Sequence, residues 1–563
     1  VGLAFGRFSA ASFGNWTYIA GIVIGALAGS NLPLIFKAFN RNFERLENTY
    51  SRLLKRMIQA RRIVLAGLVV GIVATGFTFT TLPTAFIPDE DQGYGVGFFQ
   101  LQNGASLVET KKLGNQIAKV LSEEDDVANA SIINGYGFNG SSPDQGVFFF
   151  GLQPLEERKG AEHSSDAIVK RLNAKLIQLS DGLARASGPP AVPGFSAQGG
   201  FYFQFNDLSN SAYSFNELSD LAGQLIKKAD ASGDFSSVYT QFTPSSPAIG
   251  LNINREVMGA LNVDFKEAMD TISALAGSNY SGLTYESGQV RSIYVQGTPN
   301  QRENIDDILS YYVRSNDGEL VQVSQFAEAE LSSAPPVISH YNLSRTVLIQ
   351  GAEAIGKSSG QALSKIQQLF KAENYTNIGS AFTGLAALQL SAGNATVLVF
   401  GLGVLIVYLV LSAQYESYIT PVIILATVPL AMLGALAFLA IRSIDLNIYA
   451  QIGLVTLIGL AAKNGILIVE VAEQKLKEGK SSVIAVIESA ESRLRPILMT
   501  ATAALAGFLP LVVANGAGAS AQQSLGTVIF GGLIVATVLS VGVVPPVYVL
   551  VKDLESRLLL SSK

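Results

Sequence analysis

Long apolar stretches alternate with polar ones along the chain and fall into two groups. A helix needs about 20 apolar residues to cross the hydrocarbon core of a bilayer. Segments that meet this requirement lie at 63–82, 395–413, 420–440, 447–472, 496–513 and 525–551. Between the first and second of them, the polar and mixed residues 84–393 contain no comparable run. The pattern predicts one membrane span, a large water-exposed domain and then five closely spaced spans.

The composition changes this picture little but excludes several function classes. Only 15% of the 563 residues are charged and 48% are hydrophobic, whereas soluble domains carry about 25% charged residues. The chain has no cysteine and only two histidines, His163 and His340, which excludes disulfide frameworks, thiol chemistry and Cys/His zinc sites. A net charge of −5 gives no reason to expect nucleic acid as a partner. We expect no cofactor and no bound metal.

The distribution of basic residues predicts which side of the membrane each segment faces. Lys and Arg of short loops lie on the cytoplasmic side, and here they cluster before the first span, at 473–495 and after the last span. Six spans place these three regions on one side and the large domain on the other, so we expect that domain in the periplasm. A further apolar run, 16–36, contains Gly29 and Pro33. It either crosses the membrane or lies at its surface, and the charge pattern favours the surface.

Shorter apolar repeats predict an α+β fold for the water-exposed domain. The first predicted unit consists of strand 94–101, helix 105–122, strands 127–133 and 146–152, helix 164–179 and strand 200–206. This is the β-α-β-β-α-β order of a split βαβ unit. The second consists of helix 213–230, strands 236–242 and 345–350, helix 358–372 and strand 379–384. Residues 246–335 interrupt the second unit and indicate an inserted subdomain.

A glycine-rich loop is a candidate for part of an apolar binding surface. Tyr136 and Phe138 alternate there with Gly135, Gly137 and Gly140. Aromatic residues in strands most often pack in a core, but a core strand has no use for so many glycines. We therefore expect these two rings on an adaptable surface, which suits apolar ligands of varied shape.

Lys463 is the most unusual residue of the predicted spans, because it lies near the middle of 447–472. An ionisable residue at that depth is costly and indicates a function. Its charged form needs a carboxylate partner, yet no Asp or Glu lies at mid-membrane elsewhere in the chain. Arg493 and Thr500 are seven residues apart and share a helix face. They either line a polar track or serve as a membrane anchor and a hydroxyl bonded to its own backbone.

One nucleotide-binding pattern is present but does not fit its surroundings. Residues Gly351 to Ser358 match GxxxxGK[ST] between a strand and a helix. Glu353 would place negative charge beside the phosphates, and no strand ending in Asp follows outside the predicted spans to hold Mg²⁺. We expect no ATPase activity.

Four motifs follow one another in the chain: PDEDQG (88–93), INGYGFNG (133–140), GLAAKNGILIVE (459–470) and RLRPILMT (493–500). In this order they resemble the C-terminal half of a hydrophobe/amphiphile efflux transporter of the resistance-nodulation-division (RND) superfamily. The resemblance runs from about residue 50 to 552. It implies a membrane protein with an α-helical transmembrane bundle of about six spans in this half. It also implies a large α+β periplasmic domain of ferredoxin-like split βαβ subdomains with an inserted docking subdomain.

The resemblance also implies a division of the chain. The implied parts are a cytoplasmic or interfacial linker (1–62), the first transmembrane helix (63–83), a first periplasmic pore subdomain (84–205), a second one (206–245 and 336–393), the docking or funnel insertion (246–335), five transmembrane helices (394–552) and a cytoplasmic tail (553–563).

The function implied is efflux of amphiphilic or hydrophobic compounds, driven by the proton motive force across a bacterial inner membrane. Such transporters are homotrimers that work with a periplasmic adaptor protein and an outer-membrane channel. The implied proton-relay residues are Lys463, Asn464, Arg493 and Thr500. In the family, Lys463 would pair with two aspartates of the other half, so we expect this chain to be a fragment or one half of a split transporter.

Substrate-binding residues are implied as well. Gly135, Gly137 and Gly140 would belong to a switch loop between two drug pockets, with Phe138 and with Tyr136 in place of the usual Phe. The residues that would line the distal pocket are Tyr94, Val96, Ile133 and Phe149. Those near the outer, proximal entrance are Phe98, Phe201 and Phe203.

Two other functions remain as alternatives. A heavy-metal exporter of the same superfamily would need Met, Cys or His along its path, and five Met with two His argue against it. A membrane-anchored protein whose periplasmic domain only binds or scaffolds would have no use for Lys463 or for the pair of Arg493 and Thr500.

Overall fold

The computed structural model describes residues 40–561 except Asp89, Asn139, Ser180, Asn210, Ser211, Ile355 and Ala517. The apolar run 16–36 lies outside these residues. The chain divides into two compact units. The helical unit holds the described residues up to Glu90, Lys357–Gln361 and those from Leu388 on, and the α/β unit holds Asp91–Gly356 and Ala362–Ala387.

The helical unit begins with α1 (40–59) and α2 (Arg61–Thr81). Leu54 and Ile58 of α1 are buried and pack among residues of the later helices of this unit. α2 is apolar after Arg61 and Arg62 and coincides with the first predicted span.

The α/β unit begins with a four-stranded antiparallel sheet, the first sheet. Its elements are β1 (Tyr94–Leu101), α3 (Leu107–Ser122), β2 (Val127–Asn134), β3 (Gln145–Leu152), α4 (Ser165–Leu176) and β4 (Gly182–Ser187). The strands lie in the order β2-β3-β1-β4, and β1 runs parallel to β2 with β3 between them. This is the split βαβ arrangement.

The sequence specifies this sheet through small residues as well as large ones. Phe99, Phe148 and Phe150 pack with buried residues of α3 and α4 on one face of the sheet. A Cβ atom at Gly95 would lie 2.2 Å from the ring of Phe150, and one at Gly97 would lie 2.1 Å from the ring of Phe148. Glycine at these two positions of β1 therefore makes room for the rings of β3. The opposite face, which carries no helix of this subdomain, is called the open face.

The prediction that strand 200–206 completes the first unit is wrong. The fourth strand of the first sheet is β4, whereas β5 (Phe201–Asp207) pairs with strands of a second sheet. β4 buries only Ala184 and Ala186 on the helix side, and these small residues give almost no apolar periodicity. The expected division between residues 205 and 206 consequently falls within β5.

The second sheet starts with β5, α5 (Phe215–Ala231) and β6 (Phe235–Thr240), after which the chain enters the insertion. The elements of the insertion are β7 (Ser246–Ile253), α6 (Arg255–Ala260), α7 (Phe265–Ala276), β8 (Asn279–Glu286), β9 (Gln289–Val295), α8 (Ile305–Leu309), β10 (Tyr312–Arg314), β11 (Leu320–Gln322) and β12 (Ala327–Ala334). β7 and β12 pair along their whole lengths, so the chain enters and leaves the insertion through one two-stranded ribbon.

The second sheet is completed by β13 (His340–Tyr341), β14 (Ser344–Glu353), α9 (Ser359–Ala372) and β15 (Ile378–Thr383). β14 pairs with both β5 and β6, and β15 pairs with β5, which repeats the strand order of the first sheet. Gly351 lies inside β14, where it pairs with Phe201 and Val238. The first glycine of the GxxxxGK[ST] pattern is thus part of a sheet and is not free to wrap around a phosphate.

The remaining elements are helices: α10 (Gly384–Tyr415), α11 (Thr420–Leu425), α12 (Val428–Ile441), α13 (Ile448–Lys477), α14 (Ser482–Val512) and α15 (Ala519–Ser561). Among the described residues, six helical stretches are long and apolar enough to cross a membrane. They coincide with the six predicted segments. The helix that contains the predicted segment 496–513, α14, begins earlier, at Ser482. Ser481 caps its N-terminus, and Pro496 lies in its interior.

Contacts at the helix ends show that the helices alternate in direction. At one end of the helical unit, Arg61 pairs with Asp553 at 2.6 Å, and Lys552 pairs with Glu473 at 2.9 Å. At the other end, the Leu446 backbone N–H donates to the Pro83 carbonyl at 2.8 Å. The basic ends of the helices therefore meet on one side.

Candidate functional site

The residues expected in the distal pocket share the open face of the first sheet. Val96 of β1 lies directly across from Phe149 of β3, and Phe149 lies across from Ser131 of β2. Tyr94 and Ile133 are the diagonal neighbours of Phe149 on the two flanking strands. Diagonal neighbours on one face are within reach of aromatic side chains, so three strands bring these four side chains together.

Part of the open face is accessible. Tyr94 and Phe149 are each 39% exposed, Ile133 is 43% exposed, and Tyr136 in the following loop is 47% exposed. Buried strand aromatics are ordinary core residues, but large apolar side chains that remain this exposed and adjacent can contact a ligand. This exposed patch is the best candidate for substrate binding in the α/β unit.

Another part of the open face, called the covered end, packs against the second sheet. Val96 and Phe98 are both only 2% exposed. The ring of Phe98 stacks on that of Tyr239 in β6, and the side-chain amide of Gln100 donates to Thr243 Oγ1 at 2.8 Å. Burial raises the pKa of the Tyr239 phenol above its ordinary value. Phe98, expected near an outer entrance, is therefore held in an aromatic pair.

Phe201 and Phe203 are not brought together with the exposed patch. They lie in the core of the second sheet and are 4% and 0% exposed. The ring of Phe203 makes edge contacts with Phe370 and Phe382, at centroid distances of 5.6 and 5.2 Å. In this conformation both residues pack in a core, which is the commonest role of aromatics in strands.

The glycine-rich loop is tight, and two of its glycines adopt backbone conformations that favour glycine. Gly137 and Gly140 exchange backbone hydrogen bonds of 2.9 and 3.2 Å. Gly135 and Gly140 adopt positive φ values of 79° and 142°, which side-chain-bearing residues rarely adopt. A Cβ atom at Gly140 would lie 2.8 Å from Val337. Tyr136 projects from this loop, while Phe138 is half-buried.

Lys463 lies on an exposed stripe of α13 together with Ile452, Thr456 and Gly459. It forms no ion pair or hydrogen bond with any residue in the part of the chain that the structure describes. Its neighbour Asn464 faces the opposite way, is buried and donates to Thr537 Oγ1 of α15 at 3.4 Å. Among the described residues the lysine is therefore unpaired, and it lies on the outside of this helical unit.

Arg493 and Thr500 both lie in α14. Arg493 is half-buried, and its guanidinium has no hydrogen bond or ion pair within the described ranges. Thr500 is exposed, and its hydroxyl donates to the carbonyl of Ile497 at 3.2 Å. In this structure the hydroxyl thus bonds its own backbone, and a relay role for Thr500 requires a change of rotamer.

The PDEDQG motif contains two carboxylates with separate anchors. Glu90 accepts backbone hydrogen bonds from Gly518, at 3.1 Å, and Ala521, at 3.4 Å, at the start of α15. Asp91 pairs with the buried guanidinium of Arg158 at 2.7 and 2.9 Å. Burial alone would raise the pKa of Asp91, but the hydrogen bonds from Arg158 and from backbone N–H groups hold it below its ordinary value.

Sequence reasoning missed Tyr239 and Arg185, which adjoin Phe98 on the open face. β4 gave no periodic signal, so Arg185 could not be placed on a sheet face. Tyr239 belongs to the other sheet, and nothing in local sequence indicates a contact between rings more than a hundred positions apart.

Residues 18–552 match a family model described as the AcrB/AcrD/AcrF family. The chain is 35% identical over 521 residues to the antibiotic efflux pump membrane transporter ArpB of Pseudomonas putida. The matched region covers 92% of this chain and 49% of that protein. It is 33% identical over 543 residues to the multidrug resistance protein MdtF of Escherichia coli, and the match covers 96% of this chain and 52% of that protein. It is 34% identical over 527 residues to the solvent-resistant pump membrane transporter SrpB of Pseudomonas putida, and the match covers 93% of this chain and 50% of that protein. The chain spans about half the length of these relatives.

Proposed function

Because this chain belongs to the AcrB/AcrD/AcrF family, we propose that it is the C-terminal half of a proton-driven efflux transporter for amphiphilic or hydrophobic compounds. The complete transporter would be a homotrimer in a bacterial inner membrane, with the α/β unit in the periplasm. It would work with a periplasmic adaptor protein and an outer-membrane channel. The relatives described as antibiotic, multidrug and solvent pumps support this substrate class.

The observation that carries the proposal is Lys463 on the exposed stripe of α13, where it has no partner within the described ranges. A charged lysine at mid-membrane is costly when it faces lipid, and its charge is stabilised only by a carboxylate partner. We propose that two aspartates of the N-terminal half cover this stripe and pair with Lys463. Protonation of those aspartates would release the lysine and shift the helices between two arrangements.

Asn464, Arg493 and Thr500 take supporting parts in the proposed relay. Asn464 ties the Lys463 region of α13 to α15 through Thr537, so a movement of Lys463 is passed on to the last helix. Arg493 has an unpaired guanidinium that can attract a carboxylate or a water chain. The Thr500 hydroxyl can exchange its backbone acceptor for such a chain.

The substrate would bind on the exposed patch of the open face, formed by Tyr94, Phe149, Ile133 and Tyr136. Aromatic and branched side chains contact apolar bodies of varied shape without requiring particular hydrogen bonds. The loop that carries Tyr136 and Phe138 would act as the switch between two pockets. Val96 and Phe98 would become part of the surface as the second sheet moves away from the covered end.

The two alternative functions are less well supported by the patch itself. A heavy-metal exporter would need soft sulfur or imidazole ligands on the substrate path, whereas this patch consists of aromatic and aliphatic side chains. A scaffold protein would leave the unpaired Lys463 without a purpose.

The proposal is tested by reconstituting the complete transporter in liposomes and imposing a pH gradient. Movement of a fluorescent amphiphile is followed together with the internal pH. Proton flux that accompanies amphiphile movement in the opposite direction, and that a protonophore abolishes, supports antiport. Amphiphile movement that is unaffected by the protonophore but requires ATP would overturn it.

A further inference from the structure

Arg185 occupies an unusual position for a charged residue. It lies in β4 directly across from Phe98 of β1, so the two side chains emerge on the same face of the first sheet. Its neighbours Ala184 and Ala186 face the core formed with α3 and α4. Arg185 therefore projects from the open face, beside the covered end where Phe98 stacks on Tyr239, and it is half-buried there.

The guanidinium of Arg185 has no hydrogen-bond acceptor in the described part of the chain. Within the described residues it makes no hydrogen bond and no ion pair. Asp230 is close enough for Arg185 to lower its pKa somewhat, but burial outweighs this effect and the pKa of Asp230 lies above its ordinary value. One oxygen of Asp230 accepts the backbone N–H of Val238 at 3.2 Å. A half-buried cation without an acceptor carries a desolvation cost that a bound anion would offset.

A second donor beside the ring pair also lacks an acceptor. The side-chain oxygen of Gln198 accepts the hydroxyl of Tyr239 at 2.5 Å. The side-chain nitrogen of Gln198 is buried and has no acceptor in the described part of the chain. Together with Arg185 it leaves two donor groups at this end of the open face without an acceptor among the described residues.

From this arrangement we propose that Arg185 makes the Phe98–Tyr239 end of the open face a recognition site for the anionic head group of an amphiphile, a carboxylate or a sulfonate. The inference rests on the proposed function, since the apolar body of the same molecule would lie on the exposed patch. As the second sheet moves away from the covered end, the rings of Phe98 and Tyr239 would contact the part of the molecule next to the head group. The guanidinium donates charge-assisted hydrogen bonds to the head-group oxygens.

The charge gives the site a preference that the rings alone would not have. Aromatic faces attract cations, whereas a guanidinium in the same site repels them and attracts anions. A hydrogen bond between charged groups in such surroundings changes affinity by about tenfold or more. If Arg185 does not bind an anion, its remaining role at this position is to cover the ring of Phe98 with its aliphatic stem.

The test uses two probes that share a phenylnaphthylamine body. 1-Anilinonaphthalene-8-sulfonate carries a sulfonate, and N-phenyl-1-naphthylamine carries none. Binding of both is measured by fluorescence to the complete transporter in nanodiscs, with empty nanodiscs subtracted. We expect Arg185→Gln to reduce the affinity for the sulfonate relative to the neutral probe by about tenfold, and Arg185→Lys to retain most of the preference. Arg291→Gln, at an exposed arginine of β9, is the matched control and should leave the ratio of the affinities as it is.

Several outcomes would overturn the inference. If Arg185→Gln weakens both probes equally, the arginine acts by packing, and if it changes neither, the arginine does not contact ligand. Should Arg185→Gln fail to fold, a salt titration of the wild type decides. Binding of the sulfonate must then weaken with salt more steeply than binding of the neutral probe, and equal slopes would refute the site. Binding requires no proton gradient, so a failure of proton-coupled export in the wild type would count against the proposed function and leave this result standing.

Discussion

The ring of Phe98 stacks on the ring of Tyr239, with centroids 4.8 Å apart and planes inclined by 28°. Phe98 belongs to β1 of the first sheet and Tyr239 to β6 of the second. The contact joins the two sheets at the covered end of the open face. A pair of this kind contributes about 0.5–1.5 kcal/mol beyond the burial of its surface.

Phe98→Ala should therefore destabilise the protein far more than the same change at Phe149. Phe98 is 2% exposed and Phe149 is 39% exposed, although both lie on the open face. Truncation of a buried Phe lowers the free energy of unfolding by about 3–5 kcal/mol, whereas the exposed ring loses little. Thermal unfolding of the complete transporter compares the stability of the two variants. Amphiphile export measures what the loss of the exposed ring does to transport. Equal unfolding temperatures for the two variants would contradict the packing described.

Gly140→Ala should impair the loop more than Gly137→Ala. At Gly140 the added methyl group meets Val337 at 2.8 Å, and the backbone has a φ of 142°, a conformation that costs a non-glycine residue about 1–3 kcal/mol. At Gly137 the methyl group first meets the flexible end of Gln145, which can move. Gly188→Ala is the control, because a Cβ atom there has open space around it. Export rates that rank in the reverse order would show that the loop has a different conformation.

The pair of Asp91 and Arg158 should make the protein sensitive to acid. The pKa of Asp91 in the folded protein lies below its ordinary value, so the pair stabilises the fold above about pH 4. This stability is lost as the pH falls through the folded pKa. The side chain of Arg158 is 1% exposed, so Asp91→Asn leaves a buried cation without its counter-charge, and we expect a loss of about 3 kcal/mol near neutral pH.

The measurement is the unfolding temperature of wild type and Asp91→Asn between neutral and acid pH. The difference between them should shrink as the pH falls below about 4. Asp125→Asn, at an exposed carboxylate, controls for the change in net charge. A difference that stays constant with pH would mean that Asp91 is not charged in the folded protein.

The size of the native polypeptide tests the claim that this chain is half of a transporter. An antibody raised against residues 94–206 should detect either a band near twice 59.6 kDa or a band of about this mass. In the second case a separate membrane protein that carries the aspartates should co-purify with the chain. A chain of this mass that exports amphiphiles without any such partner would contradict the proposal.

The sequence alone predicted the large features because each has a strong local signal. Apolar length located the six helical stretches among the described residues that are long and apolar enough to cross a membrane, and the order of strands and helices indicated two split βαβ units with an insertion. The strand β4 was missed because alanines carry its burial. α14 starts at Ser482, before the apolar segment 496–513, because its first residues include charged side chains and are not part of an apolar run.

The candidate site was predictable only in part, for a related reason. Motif resemblance named Tyr94, Ile133 and Phe149, and the structure places them on one face. The resemblance could not indicate which aromatic residues pack in a core. It therefore grouped the buried Phe201 and Phe203 with exposed residues such as Phe149 as substrate-binding residues. Burial is decided by elements far away in the sequence, as the contact between Phe98 and Tyr239 shows.

The most direct test of the central claim is export by Lys463→Met in the complete transporter, compared with Lys477→Met. Both lysines lie in α13, but Lys463 is near its middle and Lys477 is its last residue. Proton-coupled amphiphile export is measured in cells, with protein amount and trimer assembly checked for each variant. The proposed relay predicts that Lys463→Met assembles normally and exports nothing, while Lys477→Met exports like the wild type. Export by Lys463→Met at the wild-type rate would contradict the account.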